Sequence, residues 1–231
     1  MRAAHRHTAG PEHEYEPQRG LPEVLPAGET LLWQGSPDWR ALARGAFHVR
    51  KLAVYFSLML ALRGIVVYAD GGTATAAVMA SLWLLPLAAL GLGLVATLAW
   101  LSARGTVYTL TNKRVVMRIG IVLTVTYNLP FKRIARADLA LAADGHGDIA
   151  LALAGKDRIA YMQLWPHARP WRLARPEPSL RGVPDAARVA KQLVAAWSAA
   201  TGRSAVPASS PATSQATEAD TPLTRPVLQT R

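Results

Sequence analysis

Between Gly71 and Ala103 the chain carries no charged residue, and Ala76 to Leu101 is a nearly unbroken apolar run of 26 residues. A helix rises about 1.5 Å per residue, so this run reaches about 39 Å, enough to cross a hydrocarbon core about 30 Å thick. A helix in water needs a polar face, and this one has none. A second apolar stretch, Leu52 to Tyr68, is at the short limit for a span. Arg63 interrupts it near its far end, where the guanidinium can snorkel to the interface. Asp70-Gly71-Gly72 makes a tight turn between the two. The pattern therefore predicts a transmembrane helical hairpin, about 52–68 and 76–101, with Pro86 tolerated inside the second helix.

The net charge of +11 is unevenly placed. Residues 1–50 hold six basic and six acidic groups, whereas residues 104–200 hold fifteen basic and six acidic ones. A basic segment next to a membrane span reads most simply as one that meets anionic lipid headgroups, and the tether argues against nucleic acid. Arg44, Arg50 and Lys51 precede the first span and Arg104, Lys113, Arg114 and Arg118 follow the second, while the connecting loop offers only Asp70. The positive-inside rule then puts both termini in the cytoplasm of a multi-pass inner-membrane protein. The chain has no cysteine, which removes disulfides, thiol nucleophiles and zinc–thiolate sites. Residues 1–30 hold no apolar core of the signal-peptide type.

Outside the hairpin the pattern changes. Residues 1–27 and 201–231 are polar, rich in Pro, Ser or Thr and without period, and are expected to be disordered. Residues 28–51 are expected to form a first strand near Gly28–Gly35 and then an amphipathic basic helix, with Ser36 as N-cap and Pro37 at its first position. Residues 104–200 are expected to form a small antiparallel β domain. Its strands fall at Thr106–Thr111, Arg114–Ile119, Ile121–Tyr127, Ile134–Leu141, Ile149–Leu153 and Ile159–Leu164, separated by Gly- and Asp-rich turns. Pro184-Asp185 opens a helix to about Ala199. Its apolar face, Ala186, Val189, Ala190, Leu193, Val194 and Trp197, would close the sheet.

Four blocks give the chain a family look. The stretch Tyr108-Thr109-Leu110-Thr111-Asn112-Lys113-Arg114-Val115-Val116, with a preceding Gly-Glu-x-Leu-Leu-Trp strand and hydrophobic hairpin and a later Leu129-Pro130-Phe131-Lys132-Arg133-Ile134, resembles the membrane-anchored bacterial pleckstrin-homology-like domains. Leu32-Trp33-Gln34-Gly35-Ser36-Pro37-Asp38-Trp39, Gly147-Asp148-Ile149-Ala150-Leu151 and Leu164-Trp165-Pro166-His167-Ala168-Arg169-Pro170-Trp171 resemble the PuhB-type photosynthetic complex assembly proteins of purple bacteria. The likeness covers about residues 28–198. It implies an α+β membrane protein whose hairpin is inserted into a split pleckstrin-like domain, the strand near Leu31–Gln34 joining the sheet formed by 105–165. It further implies a non-enzymatic assembly factor in the intracytoplasmic membrane, with reaction-centre and light-harvesting 1 subunits as partners; separately, no cofactor is expected. A membrane-tethered lipid or peptide sensor unconnected with photosynthesis is the other reading.

The residues offer little for catalysis. No Ser-His-Asp spacing, Walker loop or dinucleotide fingerprint is present. His5 and His7 lack a carboxylate or thiol to complete a metal site, so a polar tail is the plainer reading. His146 lies in an Asp-Gly-His-Gly turn. His48 sits at the membrane entrance, where a bacteriochlorophyll contact is conceivable but interfacial placement suffices. Ala89, Gly91 and Gly93 give the second span small residues for close packing, within the hairpin, in a homodimer or with a client helix. Trp165, Arg169, Trp171, Arg172 and Arg175 form the best contact candidate outside the bilayer. An extended backbone there would line the arginines on one ridge; the bland alternative is a connector whose tryptophans pack back on the sheet.

Overall fold

The computed structural model describes residues 20–21, 23–155 and 159–202. The disorder expected of residues 1–19 and 203–231, and His5, His7 and His13, fall outside the described residues. Nearer the domain the expectation of disorder fails, because Leu21 is buried and a Cβ on Gly20 would run into Val107.

The fold is α+β. Strand β1 (Leu31–Gly35) is followed by helices α1 (Trp39–Gly45), α2 (Val49–Ala69) and α3 (Ala74–Gly105), and only then by its sheet partner β2 (Val107–Thr111). Strands β3 (Arg114–Ile119) and β4 (Val125–Pro130) complete an antiparallel sheet in the order β1-β2-β3-β4. A 3-10 turn at Phe131–Arg133 leads into β5 (Ile134–Leu141), β6 (Gly147–Leu153) and β7 (Ser179–Val183), the second antiparallel sheet. A one-turn helix α4 (Tyr161–Leu164) lies between β6 and β7, and α5 (Ala186–Thr201) closes the domain.

The core lies between the two sheets and α5. Tyr108, Leu110, Val115 and Met117 come from the first sheet, Ile134, Ile149, Leu151 and Leu180 from the second, and Val189 and Leu193 from the helix. These are the alternating or 3.6-spaced apolar positions of each element, so the period of each segment decides which face is buried. Trp197 locks the helix down by donating its indole N–H to Ile134 O at 3.1 Å. The Tyr-Thr-Leu-Thr-Asn-Lys-Arg block proves to be a structural turn. Thr111 Oγ1 accepts from the N–H groups of Lys113 and Arg114 at 3.2 and 3.1 Å, and Asn112 bonds back to Thr30 and Gly28 beside β1.

The hairpin helices are joined by small and polar residues. Ser81 Oγ donates to Leu60 O at 2.9 Å across the pair, and a Cβ on Gly64 would lie 2.8 Å from Ser81 Oγ. Gly91 faces Phe56. Among the described residues, none in α2 is buried, and those buried in α3 are Ala77, Ala88, Ala99, Ser102 and Ala103. Helix α3 runs through Pro86 without ending. Both helices are long and apolar enough to cross a membrane. Their exposed Trp83, Leu87 and Leu90 belong to an apolar surface far larger than a soluble monomer leaves bare.

Four local expectations are corrected. Asp38, not Ser36, is the N-cap, its Oδ1 accepting from Ala41 N at 2.8 Å, so the helix begins at Trp39. The basic segment after it is not one amphipathic helix. It breaks at Ala46–His48, with His48 at φ 53°, and α1 buries Leu42 and Ala43. The strand expected at Ile121–Tyr127 starts at Val125, because Ile121–Thr124 form the β3–β4 loop. The strand expected at Ile159–Leu164 is the short helix α4, and β7 was not foreseen.

Candidate functional site

At one end of the first sheet β1 stops, β2 begins, β3 stops and β4 begins. Antiparallel order puts all four there, and α3 delivers the chain to that end through Gly105 and Thr106. A chain of buried hydrogen bonds fixes the hairpin to the domain at this point. Arg181 N–H donates to Tyr108 Oη at 3.1 Å, and Tyr108 O–H lies 2.6 Å from His167 Nδ1. On the other side of the ring, Nε2 is 3.0 Å from Thr106 Oγ1, which itself donates to Ser102 O in the last turns of α3 at 2.7 Å. Because Thr106 spends its proton on Ser102, it must accept from His167 Nε2–H. Tyr108 then donates to Nδ1, and every group is satisfied by a neutral imidazole.

The electrostatics agree with that assignment. Burial, reinforced by the Arg181 charge, pulls the His167 pKa down to about 3, so the ring stays neutral at ordinary pH. Burial pushes the Tyr108 phenol well above its usual range. The centre of the arrangement is Arg181-Gly182 in β7. Arg181 Nε pairs with Asp148 at 3.1 Å, Gly182 N–H donates to Asp148 Oδ1 at 2.9 Å, and Asp38 N–H donates to Gly182 O at 2.8 Å. A Cβ on Gly182, at φ 60°, would crowd Asp38 O at 3.2 Å, so glycine suits this close crossing of α1 over β7.

Beside the chain lies a cleft of about 310 Å³. Leu98 and Ser102 of α3, Phe47, Ile121 and Leu123 of the β3–β4 loop, and the Trp165–His167 segment line it. Its walls are mostly apolar. His167 has both nitrogens engaged, so it has no free lone pair with which to take a proton from a bound molecule. Among the described residues no group of three His, Cys, Asp or Glu could hold a metal ion.

The residues singled out in the sequence disperse over three places. Trp165 packs edge-on against Phe47 with ring centroids 5.1 Å apart and stays half exposed at the cleft. Arg169 is held by Asp138 and Glu177 at 2.5 and 2.9 Å, and these two carboxylates raise its already high pKa, Glu177 most. Trp171 is 92% exposed with φ 62°, and Arg172 and Arg175 point into solvent. The expected ridge of three arginines therefore does not form: Ala168 bridges to Pro178 and Arg169 N bonds Glu177 O, so the segment doubles back as a loop. In the hairpin, Gly91 faces α2, whereas Ala89 and Gly93 lie on the outer face with nothing near Gly93. Of the basic flank, Arg44 pairs with Asp144 at 2.7 Å and holds that carboxyl below its usual pKa. Arg50 and Lys51 are exposed at the start of α2, and Arg104 stacks over Trp100 at 5.4 Å. Lys113 lies at the far end of the sheet from the hairpin. His48 is exposed, and His146 sits in the β5–β6 turn beside Asp144.

The buried chain itself was missed by reasoning from the sequence. A signal was nevertheless there: the blocks that carried the family likeness each place one member in it. Asp38, Tyr108, Asp148 and His167 come from four separate blocks and meet around β7.

A four-plus-three-stranded antiparallel domain closed by a C-terminal helix, with an apolar hairpin let into it, is the class of protein that these elements define. Residues 56–197 match the family described as Bacterial PH domain, and the chain belongs to that family. A Rhodobacter capsulatus protein, described as an uncharacterized 23.7 kDa protein in the puhA 5′ region, is 40% identical over 183 residues, 79% of this chain and 86% of that one. A DUF1696 family protein with a pleckstrin-homology domain from Shewanella loihica PV-4 is also similar, at 15% identity and a TM-score of 0.26 over 38% of this chain and 67% of its own. That overlap is too small to bear on the fold.

Proposed function

We propose that this protein is a non-enzymatic, membrane-inserted assembly factor for a photosynthetic reaction centre and its light-harvesting 1 antenna. The observation that carries the photosynthetic reading is the 40% identical Rhodobacter capsulatus relative, whose name sets it in the 5′ region of puhA, a reaction-centre gene. The apolar hairpin supports the membrane placement, with the outer Ala89–Gly93 face open to a client helix. On the cytoplasmic side, Trp171, Arg172 and Arg175 stand clear of the domain on the loop anchored by Arg169, and Arg and Trp are the residue types that dominate protein contacts. The non-enzymatic part rests on the engagement of His167 within the buried chain. Arg50, Lys51 and Arg104, near the hairpin ends, suit anionic headgroups.

Deleting the gene in a phototroph and measuring the near-infrared absorption of reaction centre and antenna tests this directly. The expected result is a loss of assembled complex with its structural genes still expressed, together with co-purification of their subunits with the tagged protein. Normal complex levels and no co-purifying subunit would leave the lipid- or peptide-sensor reading of the PH domain in its place.

A further inference from the structure

The β3–β4 loop has a composition that its place in a water-facing turn does not explain. Residues 119–125 carry no charge, and Val122 and Leu123 are 90% and 85% exposed at its tip, with Ile121 and Val125 about half exposed. Turns between antiparallel strands in water are built from Gly, Asn, Asp and Ser, and the β2–β3 turn at the other end of this sheet, Asn112-Lys113, obeys that rule.

Two further observations fix where the loop lies. Gly105, directly after Arg104, is packed against Gly120 O so closely that a Cβ has no room, which pins the base of the loop to the last turn of α3. Above that base, Ile121 and Leu123 form one wall of the cleft whose opposite wall includes Leu98 and Ser102 of α3. Leu98 is six residues before Arg104, about 9 Å deeper along the helix axis. The uncharged loop therefore stands beside the Leu98–Gly105 end of α3, where Arg104 over Trp100 marks the close of the apolar run.

We propose that Ile121–Leu123 is a third membrane contact, inserted into the acyl–headgroup boundary of the cytoplasmic leaflet next to the hairpin. This rests on the membrane placement of the proposed function. The occupant is the bilayer itself, because the loop's apolar surface is continuous with that of α3. Insertion at this depth would shut the cleft off from water and keep the first sheet upright over the lipid. Three contacts fix an orientation that two helices leave free to rock.

The absence of cysteine allows a clean test. Val122→Cys, Lys113→Cys and Leu94→Cys are each labelled with an environment-sensitive fluorophore and reconstituted into phosphatidylcholine–phosphatidylglycerol vesicles containing shallow or deep doxyl lipids. The expected result is a blue-shifted Val122 label quenched most by the shallow doxyl lipid, about threefold more than the Lys113 label, as befits an interfacial segment. The Leu94 label, in mid-helix, should be quenched most by the deep one. A Val122 label that iodide quenches from water while Leu94 remains lipid-quenched overturns the loop insertion and leaves the hairpin reading intact. A Leu94 label in water overturns both. A Val122 label that leaves water only when client subunits are added makes the loop a protein contact and also overturns the proposal.

Discussion

His167 is a titratable group buried where its charged form is excluded, and that makes the junction sensitive to acid. In the folded protein the ring stays neutral down to about pH 3, whereas in the unfolded chain it takes up a proton near pH 6.5. The unfolded state therefore binds the extra proton first as pH falls, so stability present above pH 6.5 is lost progressively from there towards pH 3, by up to a few kcal/mol. Thermal unfolding in detergent should show its midpoint falling just below pH 6.5, ahead of the range in which carboxylates such as Asp144 titrate. His167→Gln should be less stable at pH 8 and should lack that upper part of the pH dependence. Tyr108→Phe should cost about 1–3 kcal/mol at neutral pH, because it strands both His167 Nδ1 and Arg181 N–H inside the domain. None of this was readable residue by residue. A histidine in a Trp-Pro-His-Ala-Arg-Pro-Trp segment looks like part of an exposed connector, and its partners are 59 and 61 residues away in the chain.

Within the hairpin the small residues divide by face, and the faces predict different outcomes. Gly64 is pressed against Ser81, so Gly64→Leu should force α2 and α3 apart and lower the thermal midpoint of the detergent-solubilised protein. Gly93 has open space where a side chain would go, so Gly93→Leu should leave that midpoint unchanged. If the outer Ala89–Gly93 face meets a client helix, the same change should cut co-purification of reaction-centre and antenna subunits at least tenfold, since close backbone approach is what small residues permit. Equal losses of stability in both variants would mean that the outer face serves folding and not binding. The hairpin and most strands were legible because long apolar runs and strict alternation report directly on burial. The exceptions have physical causes. Ile121–Leu123 copy a strand's composition but are exposed, so composition alone extends β4 into the loop. Strand β7, Ser-Leu-Arg-Gly-Val, reads as loop because it contains a glycine at positive φ and a nearly buried arginine whose charge is met by Asp148 from another strand.

At the scale of the whole molecule the hairpin is an insertion and not an appendage, and the domain on either side of it is one folding unit. The register places Gly35 opposite Tyr108 and Gln34 opposite Thr109, so β1, encoded before the hairpin, covers the β2 edge of a domain encoded after it. Helix α1 adds Leu42 and Ala43, buried against β7 and α3, and Glu29 pairs with Arg114 at 2.7 Å from a nearly buried position. A fragment of residues 104–202 looks like a complete β domain on sequence alone, yet it lacks all of these. It exposes the edge of β2, whose five residues are all buried in the intact chain, and an open apolar edge invites pairing with other copies. It also loses Ser102, the end point of the His167 hydrogen-bond chain. Such a fragment should be recovered as aggregate. A chain in which residues 28–46 are joined by a glycine-rich linker to residues 102–202 keeps β1, α1, Ser102 and Thr106 while discarding nearly all of the apolar hairpin surface, and should be soluble without detergent. Circular dichroism and dispersed amide resonances in the linked chain, with a cooperative melt, are the expected readout. If instead the 104–202 fragment folds cooperatively on its own, β1 and α1 are ornaments on a self-sufficient domain, and the coupling of hairpin to domain through the buried chain loses its structural basis.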